Sequence, residues 1–119
     1  MELKENMRLV QELVPGKQIT LAHIIANPDP LLYQKLGLNP KTDYTKSAIG
    51  ILTVSPAETA VICADISMKS SNAEVGFVDR FTGTLIITGT VSAVDEAFNS
   101  IMNYVQEKLG YTVVEKTRT

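Results

Sequence analysis

Few side chains in this sequence could carry out chemistry, and the two most reactive types occur once each, as His23 and Cys63. A histidine can act as a general base and a cysteine as a nucleophile, but both need neighbours that tune their pKa. Strand alternation puts His23 on an apolar face, so we expect a packed or interface histidine. That face contains Ile19, Leu21 and Ile25. Cys63 lies among apolar residues of a predicted helix, and we expect a small buried hydrophobe.

Acidic residues offer no convincing catalytic pair either. Asp79 and Arg80 are adjacent in sequence, and neighbours on a strand point to opposite faces of the sheet. Asp95 and Glu96 lie near the start of a predicted helix, where the positive end of the helix dipole favours carboxylates. The sequence has no glycine-rich phosphate loop, no HExxH and no paired CxxC. We therefore expect a protein that is not an enzyme, with no catalytic residue, no cofactor and no metal site.

Composition and charge restrict the class of protein and of partner. A chain of 119 residues with a hydrophobic fraction of 45% allows one compact domain. The net charge of -2 provides no basic surface for nucleic acid, and a single cysteine allows no intrachain disulfide. No apolar run approaches the ~20 residues that span a bilayer. We therefore expect a soluble cytoplasmic protein that binds neither nucleic acid nor membranes.

A turn signal at Pro15-Gly16 divides the chain into an N-terminal arm at 1–16 and a domain at 17–119. The apolar pattern of the arm is ambiguous. Helical spacing fits Leu3, Met7, Val10 and Val14, whereas strand parity fits Met7, Leu9 and Leu13. Periodicity alone leaves both conformations open.

The domain alternates strand and helix patterns. Strands are predicted at 17–26, 47–54, 74–79 and 84–88, with a short edge strand at 111–116. The segment 47–54 is almost continuously apolar, which is typical of a central strand covered on both faces. The two strands around Thr82-Gly83 predict an antiparallel hairpin. The fold class is therefore α/β, an α+β sandwich with a mostly antiparallel sheet and helices on one side.

Three helices are predicted, at 31–36, at 56–70, and from Thr90 or Ser92 to just before Gly110, with 37–46 as a polar loop. The second begins with the clearest local signal in the chain, a capping box made of Ser55, Pro56 and Glu58. One apolar face of that helix contains Ala57, Ala60, Val61, Ala64 and Met68. Ile62 and Ile66 lie off this face, which predicts a second apolar neighbour, either another subunit or a loop of the same chain.

Three segments carry a family resemblance: VPGKQITLAHIIANP at 14–28, SAIGILTVSPAETAVICADISMKS at 47–70 and EVGFVDRFTGTLIITGTVSAVDEAF at 74–98. In composition and order they resemble shell proteins of bacterial microcompartments, of the circularly permuted BMC-domain kind (EutS and PduU types) found in ethanolamine and propanediol utilisation. The resemblance implies a permuted ferredoxin-like BMC fold and a homo-hexamer. Such hexamers tile with other shell proteins into a cytoplasmic shell around metabolic enzymes, which are expected partners as well.

The resemblance also implies roles for particular residues. The arm would form one strand of a small parallel β-barrel that caps the centre of the hexamer, with Met7, Leu9, Gln11 and Leu13 as its barrel residues. The pore-proximal connection of the family falls on Arg80, Phe81, Thr82 and Gly83. An ordinary hairpin turn is the alternative for that segment.

A contact between hexamers is implied by the family pattern Asp-x-x-x-Lys, which falls on Asp65 and Lys69. Without the resemblance, Lys69 would be a solvated cation favoured by the helix dipole. One departure is Thr88, because ordinary BMC domains often carry an arginine before the glycine that precedes the last helix. We therefore do not expect the part of the usual contact between hexamer edges that this arginine makes.

Two other classes of function make different predictions. A small oligomeric metabolite-sensing domain of the ferredoxin-like kind would have a ligand pocket at its subunit boundary and would stay a discrete oligomer. A small enzyme would need His23 or Cys63 exposed in a cleft. A shell protein would instead assemble into sheets or ribbons.

Overall fold

A six-stranded, mostly antiparallel sheet forms the middle of the domain in the computed structural model, which describes residues 16–119. The strands are β1 (Gln18–Ile25), β2 (Ala48–Ser55), β3 (Glu74–Asp79), β4 (Thr84–Gly89), β5 (Thr112–Val113) and β6 (Thr117–Arg118). Their order is β3-β4-β2-β1-β5, with β6 also beside β1. β2 is the middle strand, as its apolar run predicted, and β3 and β4 form the expected antiparallel hairpin.

The predicted arm lies outside the described residues, apart from Gly16. Its barrel positions Met7, Leu9, Gln11 and Leu13 therefore remain predictions. The predicted edge strand at 111–116 is reduced to the two residues of β5, and β6 follows after the predicted range; both run parallel to β1.

The two long helices, α2 (Thr59–Ser70) and α3 (Val91–Leu109), cover one face of the sheet, as expected. Close packing is possible because β2 has a glycine under α3. A Cβ at Gly50 would lie 2.6 Å from Val94 Cγ1 and 2.8 Å from Phe98 Cζ. The main core fills this layer, and its fully buried side chains include Leu52, Leu85, Ile87, Val94, Phe98 and Ile101.

A second, smaller cluster covers the opposite face of the sheet, which the sequence patterns did not anticipate. The short helix α1 (Pro30–Lys35) and the loop after it pack there, with Tyr33, Leu38, Ile49 and Ile86 buried. The ring of Tyr44 stacks on that of Tyr33 with their centroids 4.2 Å apart. Tyr33 also donates a hydrogen bond to the Ser47 carbonyl at 3.0 Å. These contacts hold the polar loop against the sheet.

The start of α2 differs from the prediction. Ser55 is the last residue of β2 and pairs with Gln18, and it lies four residues before the first residue of the helix. The helix begins at Thr59, and Glu58 at its N-cap makes no side-chain capping hydrogen bond. The predicted capping box is therefore wrong, because the helix begins at Thr59 and not at the residue after Ser55.

The buried face of α2 also differs from the predicted one. Its buried residues are Thr59, Ala60, Cys63, Ala64 and Ser67. Val61 and Met68, which were expected to face the core, are 51% and 65% exposed. Apolar residues occur around most of this helix, so their spacing could not identify the side that faces the sheet.

Candidate functional site

The loop between β3 and β4 is held in one shape by the carboxylate of Asp79. Its Oδ1 accepts a hydrogen bond from the Phe81 backbone N–H at 2.8 Å, and its Oδ2 accepts one from Thr82 Oγ1 at 2.9 Å. The hydrogen bond from the Phe81 N–H, followed by that from the Thr82 hydroxyl, lowers the pKa of Asp79 below its ordinary value. The carboxylate is thus engaged inside the loop, and it is not paired with Arg80.

Gly83 anchors the same loop to the end of β2. Its φ of 79° lies in the left-handed region, and a Cβ there would lie 2.1 Å from the Val54 carbonyl oxygen. The Val54 N–H donates to the Gly83 carbonyl at 2.8 Å. Only glycine satisfies both the backbone conformation and this close approach. The loop is therefore fixed beside the segment that leads into α2.

Arg80 and Phe81 project from this fixed loop. Phe81 is 80% exposed, and Arg80 Cζ lies 5.0 Å from the centroid of its ring, within the range of a cation–π contact. Val61 on α2 and Val78 on β3 are also exposed, and together with the loop they line an open cavity of about 270 Å³. We call Val61, Val78 and Phe81 the apolar edge.

Asp65 and Lys69 lie towards the other end of α2. Lys69 Nζ is 2.8 Å from Asp65 Oδ2, and the two side chains are 74% and 57% exposed. The axial rise of a helix separates Lys69 from Thr59 by about 15 Å. The fixed loop and this ion pair therefore occupy opposite ends of one helix.

Neither reactive side chain is free to react, since Cys63 is buried and both ring nitrogens of His23 are hydrogen-bonded. Cys63 is fully buried, as predicted, and burial raises its thiol pKa to about 12. His23 lies on the face opposite the long helices, because an irregularity between Ile19 and Leu21 shifts the register of β1. Its Nδ1 is 2.6 Å from Thr117 Oγ1 and its Nε2 is 2.9 Å from Thr119 Oγ1. The imidazole thus ties the last residues of the chain to β1.

Within residues 16–119, no group of three or more His, Cys, Asp or Glu side chains could hold a metal ion. No helix in the same part of the chain is both long enough and apolar enough to cross a membrane.

Sequence reasoning missed a polar cavity beneath the loop that contains Tyr44. The cavity has a volume of about 310 Å³ and lies between this loop, the turn before β3 and the start of α3. Tyr44, a lone aromatic residue within a polar segment, was the one signal in the sequence that this loop packs on the sheet.

Comparisons with known proteins agree with this architecture. A sequence profile of the BMC domain matches residues 48–117, beginning at the first residue of β2. The bacterial microcompartment shell protein PduU of Salmonella typhimurium is 49% identical over 112 residues, which are 94% of this chain and 93% of PduU. The shell protein EutS of Escherichia coli is 44% identical over 115 residues, which are 97% of this chain and 99% of EutS.

A solved structure described as a CutR flat hexamer superposes with a TM-score of 0.80 at 40% identity, covering 89% of this chain and 94% of that chain. The BMC profile leaves β1 outside its match, although β1 pairs with the central strand along most of its length. This is the arrangement expected of a permuted domain. The chain therefore belongs to the BMC-domain family of bacterial microcompartment shell proteins.

Proposed function

We propose that this chain forms a homo-hexamer that tiles edge to edge, together with other shell proteins, into the shell of a bacterial microcompartment. Its relatives over nearly the full chain are shell proteins, and a structural neighbour is a flat hexamer. The shell encloses metabolic enzymes, and the role of this chain is structural.

The apolar edge is the observation that carries the proposal. Val61 is 51% exposed, Val78 40% and Phe81 80%. These three side chains surround one cavity, which makes them a connected surface and not isolated exposures. Connected exposed apolar side chains are common at protein–protein interfaces, and a closed ring of identical subunits would cover this surface six times. Ile62, which lies off the predicted apolar face of α2, is 43% exposed and fits the same need, whereas Ile66 packs against the core of its own subunit.

The two ends of α2 fit two different positions in such a ring. The loop with Arg80, Phe81, Thr82 and Gly83 would lie near the pore, and Asp65 and Lys69 would lie at the outer rim. The separation of about 15 Å along the helix axis supports this assignment. An ordinary hairpin turn would not require an aromatic ring as exposed as that of Phe81.

The arm at 1–16 would close the centre of the hexamer. Met7, Leu9, Gln11 and Leu13 alternate as strand residues do, and a closed barrel of six arms would leave no strand edge unpaired. The domain at 17–119 would then make all the contacts between subunits of one hexamer and between neighbouring hexamers.

A structural role without catalysis is favoured by the state of the two reactive side chains. The thiol of Cys63 is buried with a pKa of about 12, and both nitrogens of His23 are bonded to threonine hydroxyls. Neither side chain has the exposed, activated position that a nucleophile or a general base needs.

Native mass spectrometry and negative-stain electron microscopy test the proposal together. We expect a hexamer at micromolar concentration, and sheets or ribbons when the concentration is raised. Phe81→Asp together with Val61→Asp should shift the hexamer to smaller species, because each of the six subunits would then bury two unpaired carboxylates in the ring. Glu96→Lys on the exposed side of α3 serves as the charge-change control. A wild-type monomer, or a discrete oligomer that never assembles, contradicts the proposal.

A further inference from the structure

Residues 112–119, which we call the strap, lie along one edge of β1. β5 and β6 both run parallel to β1, and the partners in both pairings are separated by the same distance along the chain. The Thr119 N–H donates to the Ile24 carbonyl at 2.9 Å, and the Ala26 N–H donates to the Thr119 carbonyl at 2.8 Å. Within the described part of the chain, nothing but the strap pairs with this edge of β1.

Backbone pairing alone holds the strap weakly. Only four of its residues lie in the two pairings, and 114–116 between them are in neither β5 nor β6. Pairings of two residues contribute few ladder hydrogen bonds, so side chains must supply much of what keeps the strap in place.

Lys116 fastens the strap to the helix side of the sheet. Its Nζ donates to Asp95 Oδ1 at 2.6 Å and also to the side-chain oxygen of Asn99, both on α3. The Lys116 side chain is only 28% exposed, so water screens this ion pair less than it screens a fully exposed one. We call these contacts the lysine latch.

His23 fastens the strap on the opposite face of the sheet. Thr117 Oγ1 lies 2.6 Å from its Nδ1, and Thr119 Oγ1 lies 2.9 Å from its Nε2. Residues 116 and 117 are neighbours, and neighbours in an extended chain point to opposite faces, so one short segment is held from both sides. We call the two contacts of the imidazole the histidine latch.

The start of the strap is fixed independently of both latches. Tyr111, the residue before it, is 8% exposed, and its hydroxyl lies 2.6 Å from Thr59 Oγ1, which is also buried. Opening the two latches would therefore free 112–119 without releasing α3 or the core. The strap is built to detach from a fixed root.

The edge under the strap has the composition of a strand that pairs with copies of itself. The eight residues of β1, QITLAHII, contain no charged residue, no proline and no glycine. Edge strands are usually protected by charge or proline, and uncharged segments rich in β-branched residues pair readily with identical segments. Leu21 is 39% exposed even with the strap in place. In β1 the strap takes the place of such protection.

We propose that the strap is a releasable guard, and that its release lets the edge of β1 pair antiparallel with the β1 edge of a second copy. A two-fold axis between the copies would give both strands the same contacts. The proposal goes beyond the shell role and does not rest on the hexamer, because every contact that carries it lies within one subunit.

The test uses an unlatched variant of the full chain, Lys116→Ala with Thr117→Val and Thr119→Val. Hydrogen exchange at 117–119 should be at least roughly tenfold faster than in the parent, because several hydrogen bonds are lost and one of them is charged. Exchange at 18–26 should be fast in dilute protein and slow again in concentrated protein, when a second copy covers the edge. Native mass spectrometry should show the parent's mass doubling over the same range of concentration.

Two further variants separate edge pairing from a general loss of stability. Thr112→Val changes a threonine of the strap that belongs to neither latch, and it should match the parent in exchange and in mass. Leu21→Lys, added to the unlatched variant, should abolish the doubling and keep 18–26 fast at every concentration, because charges on an edge strand oppose pairing.

Three outcomes would overturn the proposal. Exchange at 117–119 as slow as in the parent would mean that the latches do not hold the strap. A mass that stays at the parent's value at every concentration would mean that the released edge does not pair. A doubled mass with slow exchange at 117–119 would mean that the strap has moved onto β1 of a second copy instead of releasing its edge.

The experiment stays decisive if the triple variant does not fold. Thr117→Val with Thr119→Val opens the histidine latch alone, and it should give the same changes at 117–119 and 18–26. All masses are compared with that of the parent, so a parent that is not a hexamer contradicts the shell proposal and leaves this one standing.

Discussion

Lys69 Nζ lies 2.8 Å from Asp65 Oδ2, one helical turn earlier on α2. The hydrogen bond and the charge of Asp65 raise the pKa of Lys69 above its ordinary value, so the ammonium keeps its charge at neutral pH. Both side chains are largely exposed, and water screens their attraction. The ammonium can therefore exchange Asp65 for acceptors on a neighbouring hexamer at little cost.

Lys69→Ala should abolish sheet assembly and leave the hexamer intact. The substitution removes an exposed charge from a helix end, which rarely alters the folded subunit. Hexamer mass and melting temperature should match those of the parent, whereas electron microscopy should show no sheets. Lys108→Ala, in the last turn of α3, is the matched control and should assemble normally. Sheets formed by Lys69→Ala at the parent's concentration and salt would make Lys69 a solvated helix-end residue.

Gly83→Ala should destabilise the subunit far more than Gly110→Ala. Both glycines have similar positive φ values, 79° and 74°, so the cost of the backbone conformation is matched. A Cβ at Gly110 meets nothing within 4 Å, but one at Gly83 meets the Val54 carbonyl. We expect a loss of about 1 kcal/mol for Gly110→Ala and about 3 kcal/mol for Gly83→Ala, measured by urea unfolding. Equal losses would mean that the loop is not anchored as described.

Cys63 should not react with thiol reagents in the native hexamer at pH 7.5 and should react fully in urea, because its thiol is buried and protonated. Rapid native modification would instead revive an enzymatic role for this residue.

The raised pKa also makes stability depend on pH. The folded thiol has a pKa of about 12, whereas an unfolded cysteine has one of about 8.5. Between these values the unfolded chain has lost a proton that the folded chain retains, so this contribution to stability is complete below about pH 8.5 and falls as pH rises. Between pH 7.5 and pH 9.5 the free energy of unfolding of the parent should fall by about 1.4 kcal/mol more than that of Cys63→Ala. Urea unfolding of both proteins at both pH values measures this difference. If the free energy of unfolding falls equally in the two proteins, the pKa of the Cys63 thiol is not raised in the folded state.

Deleting residues 1–13 should leave a hexamer with an open centre. The described domain forms its sheet, both clusters of buried side chains and the apolar edge from residues that follow the arm. Native mass spectrometry should show six copies of the shortened chain, and class averages should show density lost at the centre. If the shortened chain falls apart into monomers, the arm is part of the main fold and the division at residue 16 is wrong.

The sequence by itself determined the elements whose signals are local and strong. The long helix at Val91–Leu109 is capped by Thr90, one of its two predicted starting residues, and it ends just before Gly110 as predicted. The central position of β2 followed from its apolar run, since only a strand covered on both faces can bury such a run. The burial of Cys63 and the family resemblance were also readable from the sequence.

Only the tertiary structure decided the features that depend on contacts distant in sequence. The helix α2 begins at Thr59 although the strongest local helix signal lies at Ser55, and packing against α3 selected which side of the apolar α2 is buried. The polar cavity beneath the loop that contains Tyr44 is lined by three segments spread between residues 42 and 93, so no local pattern could reveal it. Periodicity reports which residues can share a face of an element, whereas burial depends on what the folded chain places against that face.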